Sequence, residues 1–252
     1  MRDGSLIPRF GRARRDPQTA VLEGLHAVKH ALRFGAQLEV LATPDLAALR
    51  ALAGRLAPDV AERIVALAIE VDEDVYAQLA PLPPSTGAIA LAPRTVVGAD
   101  EVLARRGAGP VVLLEDPRDL GNIGACVRVA AAADAGGVLS TGTHDPWHPD
   151  ALRGSAGLHY ALPVARLEDV AGIGGSGRLL LALDPEGQPL RPAELDPQAV
   201  LAFGTERHGL SDRLLEAADA RVSIPMRAGV SSLNLATSVS AVLFAWRLAG
   251  RG

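Results

Sequence analysis

The chain has 252 residues, of which 48% are hydrophobic and 21% charged, with a formal net charge of −4 and a single cysteine. Such a length supports one large or two ordinary domains with substantial cores, and such a composition excludes a disordered chain. The lone Cys126 excludes an internal disulfide framework and a cysteine-based zinc site, while the net charge by itself says nothing of nucleic acid, for which charge distribution matters.

No uninterrupted apolar run approaches the roughly 18 to 20 residues of a membrane span. The N-terminal MRDGSLIPRFGRARRD lacks the apolar core of a signal peptide, so a cytoplasmic protein without membrane contact is expected. In that same segment Arg2, Arg9, Arg12, Arg14 and Arg15 outnumber Asp3 and Asp16, and Gly4, Pro8, Gly11 and Pro17 argue against regular structure. Residues 1–18 therefore read as a basic flexible arm, either a solvated tail or an RNA-binding one.

From Ala20 to Phe34, apolar residues at Leu22, Leu25, Val28 and Leu32 form a helical stripe. LEVLAT at 38–43 reads as a strand, Pro44 and Asp45 open a helix bearing Leu46, Leu49, Leu52 and Leu56, and ALAIEV and GAIALA are further strands. Alternating strands and helices over 19–98 mean a small α/β domain; Glu23 and His26 read as ordinary helix surface. Residues 99–109, with glycine and a short charged stretch, are taken as the linker.

PVVLLE at 110–115 is an apolar strand of the kind found in a buried parallel sheet. The following GNIGACVR lacks the G-x-G-x-x-G fingerprint and the Gly-Lys-Ser/Thr ending of a phosphate loop, which counts against an ordinary dinucleotide or nucleoside-triphosphate fold. Asn122 reads as a helix cap, Cys126 as a small buried hydrophobe, and Arg128 as a charge on an Ala/Val-rich helix that needs a partner. His144 and His148 are four apart, but Pro146 and Pro149 break the helix that would align them as ligands, and no metal is expected. RLLLALD, AVLAFG and ARVSIPM are three more strands, each followed by a polar or glycine-bearing turn. The last leads through Ser231, Ser232 and Asn234 into an apolar helix with Val239, Val242, Leu243 and Trp246 on one face. Any one of those three polar residues could cap it.

Three segments, EDPRDLGNIGACVRVAAAADAGGV, AFGTERHGLS and SIPMRAGVSSLNLA, occur in an order and spacing that resemble the SpoU (TrmH) family of RNA ribose methyltransferases in the SPOUT class. The likeness covers roughly residues 110–249. It implies a C-terminal α/β domain over 110–252 with a parallel sheet and a deep trefoil knot, binding S-adenosylmethionine and acting on ribosomal or transfer RNA as a homodimer. Carried over residue by residue, it implies cofactor contacts from Leu183, Gly204, Ile224, Met226 and Leu233, and catalytic or substrate-positioning roles for Asn122, Arg128, Glu206, Ser232 and Asn234. Ala236 departs from the pattern, standing where many relatives have serine. TAVLEGLHAVKHALRFGAQLEVLAT resembles the small domain related to ribosomal protein L30e that often precedes the methyltransferase domain and helps select RNA. A catalytically inactive knotted RNA-binding protein and a base-nitrogen methyltransferase are the alternatives.

Overall fold

The computed structural model describes residues 4–107, 109–205 and 209–250. The chain divides into two compact units, one of residues 1–96 with 147–161, the other of 97–146 with 162–252.

The first unit opens with α1 (Leu6–Ala13), where the sequence suggested an irregular arm. Leu6, Phe10 and Ala13 fall on one face and are buried beside Val21, Tyr76, Leu79 and Leu91. Pro8 sits in the first turn, where its missing N–H has no helical acceptor to lose, and apolar burial outweighs the cost of Gly11. The arginine excess is partly consumed internally. Arg9 pairs with Glu39 at 2.8 Å, and Arg14 with Glu23 at 2.6 Å. Truncating Phe10 to alanine is expected to destabilise this unit by about 3–5 kcal/mol. In urea melts of the full chain, a change under ~1 kcal/mol would contradict a docked α1.

The helical stripe expected over 20–34 is instead β1 (Thr19–Glu23) followed by α2 (Leu25–Arg33). Gly24 between them has φ +96°, a conformation helices do not use, and its N–H donates to the Ala88 carbonyl at 2.8 Å. Glu23 is therefore no helix-surface residue: its buried carboxylate faces the guanidinium groups of Arg14 and Arg153. Two cations offset the cost of dehydrating that carboxylate.

The unit continues with β2 (Val40–Thr43), α3 (Leu46–Leu56), α4 (Ala61–Leu67), β3 (Ala68–Glu70), α5 (Glu73–Tyr76) and β4 (Ile89–Pro93). Asp45 caps α3 by accepting from the Ala48 N–H at 2.8 Å. The sheet order is β1-β4-β2-β3, with β4 antiparallel to both neighbours and β2 parallel to β3.

The second unit begins with α6 (Ala99–Ala104), so the expected linker over 99–109 is in part a core element. Val102 and Leu103 are buried in its hydrophobic cluster. The buried Arg178 guanidinium fixes α6 further, its Nε donating to the Leu103 carbonyl and Nη1 to the Gln198 carbonyl, each at 2.8 Å. Burial pushes its pKa below the ordinary value.

Then come β5 (Val111–Leu114), α7 (Leu120–Ala133) and β6 (Gly137–Ser140). α8 (Pro149–Gly154) lies in the segment that belongs to the first unit, and His148 caps it, its Nδ1 accepting from the Asp150 N–H at 3.2 Å. The second unit resumes with β7 (Val164–Arg166), α9 (Ala171–Gly174), β8 (Leu180–Pro189), β9 (Val200–Phe203), α10 (Asp212–Ala217), β10 (Ala220–Ser223) and α11 (Leu235–Ala249).

Its six-stranded sheet has the order β10-β8-β9-β5-β6-β7, all neighbours parallel. Central β5 and β9 are fully buried, which explains their uninterrupted apolar sequences. α11 packs against α7, burying Leu235, Val239, Val242 and Leu243.

Candidate functional site

Open parallel sheets collect ligands beyond the carboxyl ends of their strands, where the chain must turn and backbone groups are left unpaired. Here those ends converge on one partly open cleft of about 200 Å³. Its lining comes from three stretches: 183–185 in β8, the segment around Gly204 after β9, and 224–238 between β10 and the first turns of α11.

The β8 contribution depends on a break in register. Ala182 pairs with Arg221, yet the next β10 residue, Val222, pairs with Gln188. Residues 183–187 thus bow out of the ladder, and Leu183, Asp184 and Pro185 reach the cleft. Gly187 lets this excursion close, since a Cβ there would lie 2.5 Å from the Val222 nitrogen.

After β9, Thr205 and Gly209 bridge to each other, with N–H···O distances of 3.2 and 2.9 Å. Ser211, which caps α10, donates both its N–H (2.7 Å) and its hydroxyl (2.6 Å) to the Glu115 carboxylate at the end of β5. Gly209 and Ser211 are thus tied to Thr205 and to Glu115 respectively. Gly204 packs so tightly that a Cβ would overlap the backbone of Gly209 and Leu210.

The third wall ends in a polar junction. Asn234 caps α11, its Oδ1 accepting from Ala236 N–H at 3.0 Å and Thr237 N–H at 3.3 Å, while its Nδ2 donates to the Asn122 Oδ1 at 3.1 Å. One side chain therefore joins the start of α11 to the start of α7. Asn122 does not cap α7 as the sequence suggested. Asp119 does, accepting from the Asn122 N–H at 2.7 Å, because the helix begins one residue after it.

Asn234→Ala is expected to cost about 1 kcal/mol through loss of the cap. Asn234→Asp, which keeps the acceptor, should restore most of that stability. Urea melts that found the two variants equally destabilised would contradict the capping role.

The five residues expected to contact a cofactor, Leu183, Gly204, Ile224, Met226 and Leu233, all line this cleft, together with Ser232. Asn122 and Asn234 are brought together beside it, Asn234 lying between the lining residues Leu233 and Leu235. Arg128 is exposed on α7 and is not among the lining residues. Glu206 lies outside the described residues. Phe203, Thr205, Ser238 and Asp184 also line the cleft and were not singled out from sequence. For Asp184 the signal was present in the turn-rich DPEG, which interrupts an otherwise apolar strand. Among the described residues no cluster of three or more His, Cys, Asp or Glu side chains is placed to hold a metal ion, and no helix is long and apolar enough to cross a membrane.

The 23S rRNA (adenosine(1067)-2′-O)-methyltransferase of Streptomyces azureus is 36% identical over 166 residues, covering 63% of this chain and 60% of that protein. The 23S rRNA (uridine(2479)-2′-O)-methyltransferase of Streptomyces viridochromogenes is 31% identical over 144 residues, covering 53% of this chain and 50% of that protein. The chain thus spans between half and two thirds of these relatives' lengths. Among solved structures, the AdoMet-bound rRNA methyltransferase from Sinorhizobium meliloti superposes with a TM-score of 0.75 at 26% identity, covering 97% of this chain and 94% of that one. The profile of the SpoU rRNA Methylase family matches residues 109–244, which holds every strand and loop that builds the cleft, and the chain belongs to that family.

Proposed function

We propose that this protein methylates the 2′-oxygen of a ribose in RNA, using S-adenosylmethionine, with ribosomal RNA as the leading substrate and transfer RNA as the other pool. The observation that carries the reading is the cleft lined by Leu183, Gly204, Ile224, Met226 and Leu233. Both curated relatives are named as 23S rRNA 2′-O-methyltransferases, and they differ in the nucleotide modified. Their names support the reaction and leave the position in RNA to experiment.

The residues present suit the cofactor. Leu183, Ile224, Met226 and Leu233 offer apolar contact for the faces of an adenine, and the strand ends around Gly204 offer backbone donors and acceptors for its edge. When bound, S-adenosylmethionine supplies an electrophilic methyl on a positively charged sulfur. The chain's own task is to position the ribose hydroxyl and stabilise the charge that develops on its oxygen.

Arg128 fits the second role. A guanidinium stays protonated, so it stabilises the developing alkoxide while the hydroxyl proton passes to water or to a neighbouring RNA phosphate. The joined Asn122 and Asn234 hold the edge of the cleft against the ribose. Ser232, exposed on the cleft wall, contacts RNA or positions Arg128, and Glu206 orients these groups.

The reading also includes the deep trefoil knot, formed where the 224–234 segment returns beside the other cleft-lining loops. Such threading is rare in proteins generally, and the parallel order of β10, β8 and β9 is consistent with it. The first unit is assigned as the L30e-like RNA-selecting domain, with Arg12 and Arg15 exposed on it. A homodimer is supported by Phe244 and Leu248, one turn apart on α11 and 36% and 71% exposed. The cytoplasm, where unmodified RNA is found, is the proposed location.

Incubating the protein with labelled S-adenosylmethionine and, separately, unmodified ribosomal and transfer RNA tests the reading. Label is expected in the ribosomal pool. Cofactor binding without transfer to either pool would favour a binding-only protein.

A further inference from the structure

Asp184 is the one ionisable side chain among the described residues lining the cleft; the rest are apolar, glycine or hydroxyl-bearing. It sits on the 183–187 excursion, held there by the register break between β8 and β10. Its Oδ1 accepts from the Glu186 N–H at 3.0 Å, which fixes the turn. Its Oδ2 is 3.6 Å from Arg221 Nη1, beyond hydrogen-bond reach, and that arginine is 46% exposed whereas the Asp184 side chain is only 14% exposed. So exposed a cation offsets little of the charge. The described lining of the cleft therefore presents a mostly buried carboxylate among otherwise uncharged residues.

We infer that Asp184 makes the cleft selective for the cationic methyl donor over its neutral demethylated product. This rests on the cofactor reading above. S-Adenosylmethionine carries a sulfonium, an ammonium and a carboxylate, whereas S-adenosylhomocysteine has lost the sulfonium charge and is neutral overall. A fixed negative charge in a medium less polar than water attracts the first more than the second. Asp184 thus acts as a specificity-determining residue that favours exchange of spent product for fresh donor.

The test is calorimetric binding of S-adenosylmethionine, S-adenosylhomocysteine and sinefungin to the full chain. Sinefungin bears an amine near the sulfonium position and is cationic there. Asp184→Asn is expected to weaken binding of the two cationic ligands about tenfold, equivalent to ~1.4 kcal/mol, and of S-adenosylhomocysteine by less than about twofold. Asp184→Glu should recover most of the selectivity.

Equal weakening of all three ligands would overturn the inference, leaving Asp184 as a turn-forming residue only, and so would unchanged affinities. Should the asparagine variant fail to fold, the wild type still decides. It should bind S-adenosylmethionine and sinefungin more tightly than S-adenosylhomocysteine, and equal affinity for all three would overturn the inference. A wild type that binds none of the three ligands would refute the cofactor reading itself.

Discussion

Replacing Arg128 with alanine is expected to slow methyl transfer by about 100- to 1,000-fold, the range for removing a group that stabilises charge only in the transition state. Because Arg128 is exposed on α7 and does not line the cleft, S-adenosylmethionine affinity should stay within about twofold of wild type. Lysine should not restore the rate, since a point charge lacks the planar fork of the guanidinium. Single-turnover kinetics with saturating RNA, alongside calorimetric cofactor titration, separate the two effects. A variant with normal turnover and weakened cofactor binding would assign Arg128 to the binding site and remove it from the chemistry.

Gly204→Ala is expected to act at the other end of the site. The added methyl group would overlap backbone atoms of Gly209 and Leu210, and no rotamer change relieves a backbone overlap. The Thr205–Gly209 bridge must open or the Gly204 segment must shift, and both move a wall of the cleft. Overpacking of this kind costs about 1–3 kcal/mol, which amounts to roughly 5- to 150-fold in cofactor affinity where the strain falls on the binding wall. Gly172→Ala is the matched control, because nothing lies within 4 Å of a Cβ at that position. Binding by the Gly204 variant equal to that of the control would contradict the close approach of Gly204 to the backbone of Gly209 and Leu210.

That Leu183, Gly204, Ile224, Met226 and Leu233 would come together was legible through the resemblance of three short segments to a known family, not through composition or spacing. For Asp184 the turn-rich DPEG marked only a local break in the strand, because its place at the cleft depends on which β10 residue pairs with Gln188, a long-range match. The same limit explains the N-terminal error. Pro8 and Gly11 are local breakers, but the burial of Phe10 against Tyr76 and Leu91 decides the outcome. Leu22 and Leu25 have helical spacing and yet lie on either side of Gly24, whose positive φ divides strand from helix. Residues 147–161 belong with the first unit through contacts such as Arg153 with Glu23, which sequence adjacency to the second unit conceals.

Mapping the label within RNA tests the central claim most directly. Methylation of a 2′-oxygen removes the hydroxyl that attacks the adjacent phosphodiester in alkali, so the account predicts labelled, alkali-resistant dinucleotides after hydrolysis of RNA treated with the wild type, absent with Arg128→Ala. Label released instead as an ordinary mononucleotide carrying a methylated base would contradict ribose methylation.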